Sequence, residues 1–227
     1  MISIDIDGPS AVGKTTLIHQ LYSEIPNVSF VDELLMQKSN PYSQWETSED
    51  FLKKQLWFFE NTLKRYMITS DAKRGDVQIN DIGIIDVIIH TVIFPIVNEL
   101  PWNVFTQFKN YIINNYQNID LANIVVYLYA SEQILRQRKS NDTLRKRNAF
   151  ESNIRLYPLQ KKFYLMLEQT YPDHVFCLDT SSNSIHLTKK ISNILSKNAN
   201  TPPLHLYELL DLTDSFFCKC SITECLE

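Results

Sequence analysis

The chain has 227 residues, 44% of them hydrophobic, which is enough for one α/β domain with a sizeable core and too apolar for a disordered chain. With 22 basic and 26 acidic residues its net charge is −4, so it offers no global attraction to nucleic acid or to an anionic membrane, and neither is expected as a partner. Any grip on phosphate must be local.

The chain opens on Met1-Ile-Ser-Ile-Asp-Ile-Asp7, whose alternation of apolar and polar residues predicts a strand. A strand starting at residue 2 leaves no room for a cleavable leader, so an intracellular, cytoplasmic protein is expected. Next comes GPSAVGKTT, Gly8 to Thr16. The chain holds only 4 glycines, and two of them stand five positions apart, directly ahead of a lysine and two threonines. The pattern G-x-x-x-x-G-K-[ST] turns backbone N–H groups toward a phosphate chain while the following helix offers its positive end. In this reading Gly8 and Gly13 allow the turn, and Ser10, Ala11, Val12 and Thr16 line the cradle. Lys14 neutralises the β- and γ-phosphates of ATP, and the Thr15 hydroxyl completes the shell of Mg2+. Leu17, Leu21 and Ile25, with Ile18 and Tyr22, supply the helix that this setting requires.

Val28 to Val31 predicts the second strand, with Asp32 and Glu33 at its end. A carboxylate there can orient or deprotonate an attacking hydroxyl, and Glu33 is the candidate. Ser48 to Thr69 forms one long helical pattern in which Phe51, Gln55, Phe58, Phe59 and Leu63 share much of a face. Trp45, Trp57, Phe58 and Phe59, with Gln55, read as a pocket in which a base stacks and an amide reads its edge. Gln55, Trp57 and Phe59 are the expected substrate contacts, although a buried aromatic stripe equally reads as core.

Val77 to Ile79 predicts the third strand, running on to Asp81, expected to bear on magnesium; a capping aspartate is the alternative. The apolar run Ile82 to Val97 contains Asp86, His90 and Pro95, and at 16 residues it is too short and too polar to span a bilayer. It reads as a helix against the sheet. After the fourth strand, Ile124 to Tyr129, comes RQRKSNDTLRKR, residues 136–147, with six basic residues and one acid. Such a cluster reads as a lid that closes over ATP, with Arg138, Arg145 and Arg147 as the preferred contacts and a solvated helix face as the alternative. Val175 to Leu178 predicts the fifth strand, and Ile185 to Lys197 the last helix before Asn198-Ala-Asn-Thr-Pro-Pro203 breaks it. The 4 cysteines and 5 histidines show no metal-ligand spacing.

Strands alternating with helices imply an α/β protein in three layers, a mostly parallel five-stranded sheet flanked by helices, with ligands at the carboxyl ends of the strands. Residues 1–198 form one domain with its lid at 136–147. Residues 199–227 form a tail of no readable role.

The P-loop, the DE at 32 and 33, NPY at 40–42 ahead of FLKKQLWFF, NDIGIID at 80–86 and the arginine-rich lid together resemble the deoxynucleoside kinase and thymidylate kinase group of P-loop kinases. That resemblance implies transfer of the ATP γ-phosphoryl group to the 5′-hydroxyl of a (deoxy)nucleoside, or to a nucleoside monophosphate. It matches Glu33 to the acceptor-side carboxylate, Gln55 to the base-reading amide, and LDTSSNS, residues 178–184, to the loop near the adenine. It also suggests a homodimer, with the 82–97 helix as a surface. Where the group has an acid followed directly by arginine, this chain has Asp81 and then Ile82. The opening DGPS resembles cytidylate kinases as well. A non-catalytic nucleotide-binding protein is the rival class, although no N-K-x-D tetrapeptide supports a GTPase.

Overall fold

The computed structural model describes residues 2–31, 45–71, 77–116, 119–142, 149–181 and 185–219. Their order is β1 (Ile2–Asp7), α1 (Lys14–Glu24), β2 (Val28–Val31), α2 (Ser48–Asp71), β3 (Val77–Asp81), α3 (Ile84–Val97), α4 (Val104–Asn115), β4 (Ile124–Tyr129), α5 (Glu132–Asn141), α6 (Phe150–Thr170), β5 (Val175–Asp179), α7 (Ile185–Lys197) and α8 (Leu206–Lys219). All strand pairs are parallel, in the order β2-β3-β1-β4-β5. The expected α/β architecture of three layers around a five-stranded sheet is therefore the observed one.

A parallel sheet needs helices on both faces, and the strand residues divide accordingly. Ile4 and Ile6 of β1, with Ile124, Val126 and Leu128 of β4, face α1, α7 and the start of α6. Val125 and Tyr127 of β4 face the opposite core, built with α2, α3, α4, α6 and α8. That second core explains the apolar run at 84–97. Its residues Ile84, Ile85, Val87, Ile88, Ile89, Val92 and Ile93 are all buried within this one chain, while Phe94, Ile96 and Val97 are partly buried. Leu204, Leu206, Leu209 and Leu210 are buried in the same core. Lys109 of α4 ties α8 down through Asp211 and Asp214, each at 2.9 Å.

The helix that carries Gln55 starts at a local signal. Thr47 Oγ1 accepts the Asp50 N–H at 3.1 Å and donates to the Asp50 carboxylate at 2.7 Å, and Glu49 and Asp50 both fall in the first turn. This arrangement satisfies an orphan donor and complements the positive end of the helix.

Candidate functional site

The loop from Gly8 to Gly13 leaves β1 at the carboxyl edge of the sheet, between its neighbours β3 and β4. This is where the strand order switches direction and where ligands of such sheets collect. At Gly8, φ is +143° and a Cβ would lie 2.5 Å from the Leu128 carbonyl oxygen, so the root of the loop accepts only glycine. Gly13 has φ +106° in open space, and Ala11 is also left-handed at φ 67°. Such residues turn successive N–H groups to one side, as an anion nest requires. The first turn of α1 carries no acid, leaving its positive end uncompensated. Lys14 Nζ reaches back to the carbonyl oxygens of Gly8 (2.5 Å) and Pro9 (3.3 Å), bringing an ammonium over the loop. Val12 is buried beneath it, Ser10 and Thr15 are half-buried, and Thr16 is exposed. A polyphosphate fits this set of donors.

Asp81 ends β3 and is buried beside β1, paired in register with Ile6. The Lys14 ammonium lowers and the Asp81 carboxylate raises the buried Asp7 carboxyl, both effects smaller than burial itself. Among the described residues no group of three or more His, Cys, Asp or Glu side chains is placed to hold a metal ion by itself. Thr15 at the start of α1 and Asp81 at the end of β3 are the two oxygen donors expected for Mg2+, an ion that commonly takes only one or two protein ligands.

After Asp81 the chain does not enter a helix at once, as the apolar run suggested; α3 begins at Ile84. Ile82 is left-handed at φ 66°, a conformation that costs a β-branched residue about 1–2 kcal/mol. Neighbouring groups hold it there. Its N–H donates to the Ile6 carbonyl at 3.3 Å, and the buried Arg65 guanidinium donates to the carbonyls of Asp81 (2.7 Å) and Ile82 (2.8 Å). The related kinases were expected to carry an arginine just after the acid. Here an arginine from α2 occupies the backbone of that turn.

Sequence reading passed over two acids. Asp5 and Asp7 looked like the polar half of an alternating strand, yet both are fully buried because β1 is central in a sheet covered on both faces. Asp5 accepts hydrogen bonds from Tyr66 Oη at 2.5 Å and Asn80 Nδ2 at 2.8 Å. Asp7 accepts from the Gly83 N–H and Tyr164 Oη, each at 2.7 Å. Burial, and then the charge of Asp7, push the Asp5 carboxyl up to about 7, against the pull of Tyr66 and Asn80. Burial likewise raises Asp7, against the bonds from Gly83 and Tyr164. The signal that was available is position: an acid one or three residues ahead of the first loop glycine, on the first strand of a doubly covered sheet, has no solvent to face.

The loop opens into a cavity of about 330 Å³. Gly8, Pro9, Ser10 and Lys14 form one end, and Lys54, Gln55, Phe58, Ile82, Asp86 and His90 line its walls. Gln55 is 1% exposed; its Oε1 lies 3.4 Å from Thr91 Oγ1, and its Nε2 has no hydrogen-bond partner. The other two expected contacts sit elsewhere. Phe59 is fully buried in the core, edge-on to Phe108 (5.8 Å) and Tyr116 (5.5 Å), so it is a packing residue and not a wall of the cavity. Trp57 packs edge-on against Phe58 at 5.1 Å and does not line the cavity, whereas Phe58 does. Two residues past Gln55, Trp57 points about 200° around the helix, while Phe58 returns to the cavity side.

Arg138 also differs from its expected role. Its guanidinium donates to the Val12 carbonyl (2.9 Å), Thr180 Oγ1 (2.9 Å) and the Thr180 carbonyl (2.5 Å), tying the P-loop to the segment after β5. It braces the loop from outside the cavity. Arg136 is exposed and paired with Glu132 and Glu151. Glu33, Arg145 and Arg147 lie outside the described residues. No described helix is long and apolar enough to cross a membrane.

No family model matches the chain, and no curated protein matches it in sequence. Solved structures do match it in fold. Deoxyadenosine kinase from M. mycoides with bound dATP superposes with a TM-score of 0.66 at 17% identity, over 86% of this chain and 100% of that one. The same enzyme with products dCMP and a flexible dCDP gives 0.61 at 18%, with the same coverage. Thymidylate kinase from Candida albicans gives 0.61 at 15%, over 89% and 94%. The chain therefore has the three-layer α/β fold seen in these nucleoside and nucleotide kinases.

Proposed function

We propose that this protein is a phosphotransferase that moves the γ-phosphoryl group of ATP to a small acceptor, the 5′-hydroxyl of a nucleoside or deoxynucleoside. One observation carries the reading: the Lys14 end of the P-loop and Gln55, whose buried Nε2 meets no hydrogen-bond partner among the described residues, line the same cavity. A phosphate cradle and a base-reading group thus face one another across a space sized for a small ligand.

In this reading the loop amides and Lys14 hold the β- and γ-phosphates. Mg2+ on Thr15 and Asp81 supplies charge neutralisation of the phosphate oxygens. The acceptor oxygen forms a bond to the γ-phosphorus as the bridging oxygen to the β-phosphorus leaves with ADP, and the hydroxyl proton passes to a carboxylate, the role assigned to Glu33. Arg138 keeps the loop in shape, and Arg145 and Arg147 contact the transferring group from the lid. Water competes as an acceptor, so a closed site is part of the design. The similarity in fold to a thymidylate kinase supports a nucleoside monophosphate as a second class of acceptor.

Purified protein with ATP, Mg2+ and separate panels of nucleosides and monophosphates tests both. Transfer to nucleosides is expected, and Lys14→Ala is expected to lower it by about 10³-fold or more. Undiminished transfer by Lys14→Ala overturns the mechanism. Preference for monophosphates moves the acceptor assignment to the second class.

A further inference from the structure

The far wall of the cavity carries a second cation that none of the roles above uses. Lys54 stands beside Gln55 on α2 and lines the cavity. Its Nζ lies 5.3 Å from the centre of the Trp45 ring, and among the described residues no carboxylate comes within ion-pair distance of it. Burial pulls the ammonium below the usual lysine range. The adjacent His90, stacked on Phe51 and Phe94, is pulled down to about 4 by burial and then by Lys54, so it stays neutral and offers Lys54 no negative charge. A half-buried ammonium over an aromatic face, next to a buried amide with an unmet N–H, demands acceptor oxygen from a ligand.

We propose that Lys54 and Gln55 select acceptors whose base presents a carbonyl oxygen beside a ring N–H, as in thymine, uracil and guanine, over cytosine and adenine. This deepens the kinase reading and rests on it. Both residues line the cavity, so a base carbonyl seated against this wall has two N–H donors to draw on, Gln55 Nε2 and Lys54 Nζ. Thr91 gives its hydroxyl proton to the Val87 carbonyl at 2.8 Å, so its oxygen is also free to accept from a Gln55 amide turned over. In that orientation Oε1 faces the cavity and takes the ring N–H, while Lys54 still donates to the carbonyl. An exocyclic amino group at the same place sets N–H against N–H₃⁺, which is repulsive in either orientation. The cation thus reads the one group that separates oxo bases from amino bases.

The test compares thymidine, deoxyuridine and deoxyguanosine with deoxycytidine and deoxyadenosine, both by turnover and by calorimetric binding, in the full-length protein and in Lys54→Met and Lys54→Arg. The expected result is tighter binding and higher kcat/KM for the oxo bases, by roughly tenfold or more, a ratio that falls toward unity in Lys54→Met and survives in Lys54→Arg. ATP affinity stays unchanged in both. A preference for amino bases in the native protein, a ratio unaltered by Lys54→Met, or no binding of any base overturns the proposal. Binding with the expected ratio but without transfer to any acceptor leaves base selection standing and removes the kinase reading instead.

Discussion

The two ends of the cavity are made of different material. At the loop end, which the proposed function gives to phosphate, the available donors are mostly main chain, and their positions follow from φ angles at Gly8, Ala11 and Gly13 and from the start of α1. At the acceptor end they are side chains from α2, α3 and α6: Lys54, Gln55, Phe58, Asp86, His90 and Gln160. Main-chain geometry is indifferent to which residues decorate it, so one phosphate cradle serves many acceptors. A wall of side chains can be rewritten one residue at a time. Beneath the loop end lie the buried Asp5 and Asp7, which tie β1 to Asn80 and to the Gly83 N–H, and perturbing them is the strongest way to break the division.

The largest effect is expected at Gly83. Its backbone is ordinary, φ −93° and ψ 178°, so alanine fits the chain, but a Cβ would lie 2.1 Å from Asp5 Oδ2 and 2.6 Å from its Cγ. Gly83→Ala should lower stability by about 3 kcal/mol or more in denaturant titration. Asp5→Ser in the same chain removes the colliding carboxylate, so the double variant should be more stable than the sum of the two singles by about 1 kcal/mol or more. Additive losses would show that the glycine is needed for another reason.

Asp5 also has a signature in pH. Its carboxyl is raised in the folded protein from 3.8 to about 7, so its contribution to stability is complete below the unfolded value near 4 and is lost as pH rises toward 7. One proton per molecule gives a slope of at most about 1.4 kcal/mol per pH unit across that window. Asp5→Asn, which cannot ionise, should flatten the fall in melting temperature between pH 5 and 7. An equal slope in the variant assigns the effect to another group.

What the sequence made legible follows the same division. The P-loop was readable because its glycines, lysine and threonine are contiguous and their spacing is itself the geometry. The strands and the helices at 48–71, 84–97 and 185–197 were readable because each rests on its own periodicity, whereas the helices at 104–115 and 150–170 were not singled out. Phe59 was misplaced because helical spacing says which residues share a face and not where, on an aromatic helix buried nearly all round, the cavity ends and the core begins. Asp5 and Asp7 were missed because alternation in an isolated strand looks the same whether the polar side meets water or Tyr66 and Tyr164. Arg65 on the 81–82 turn could not be read at all, since it joins residues 16 and 17 positions apart through a fold that sequence spacing does not encode.

Gln55 sharpens the comparison at the smallest scale. Its Nε2 is buried and meets no hydrogen-bond partner among the described residues, a situation that costs about 1–3 kcal/mol for a polar group removed from water. Leucine has a similar volume and no such demand, and Thr91 keeps its own bond to the Val87 carbonyl when the amide is gone. Gln55→Leu should therefore raise the stability of the unliganded protein by about 1 kcal/mol while raising acceptor KM by about tenfold and leaving the affinity for ATP alone. Gains in stability with losses confined to one substrate are what a residue strained for recognition gives, whereas a packing residue loses stability when replaced. If Gln55→Leu destabilises the protein, or weakens ATP as much as the acceptor, the amide belongs to the core and the two ends of the cavity are not independent.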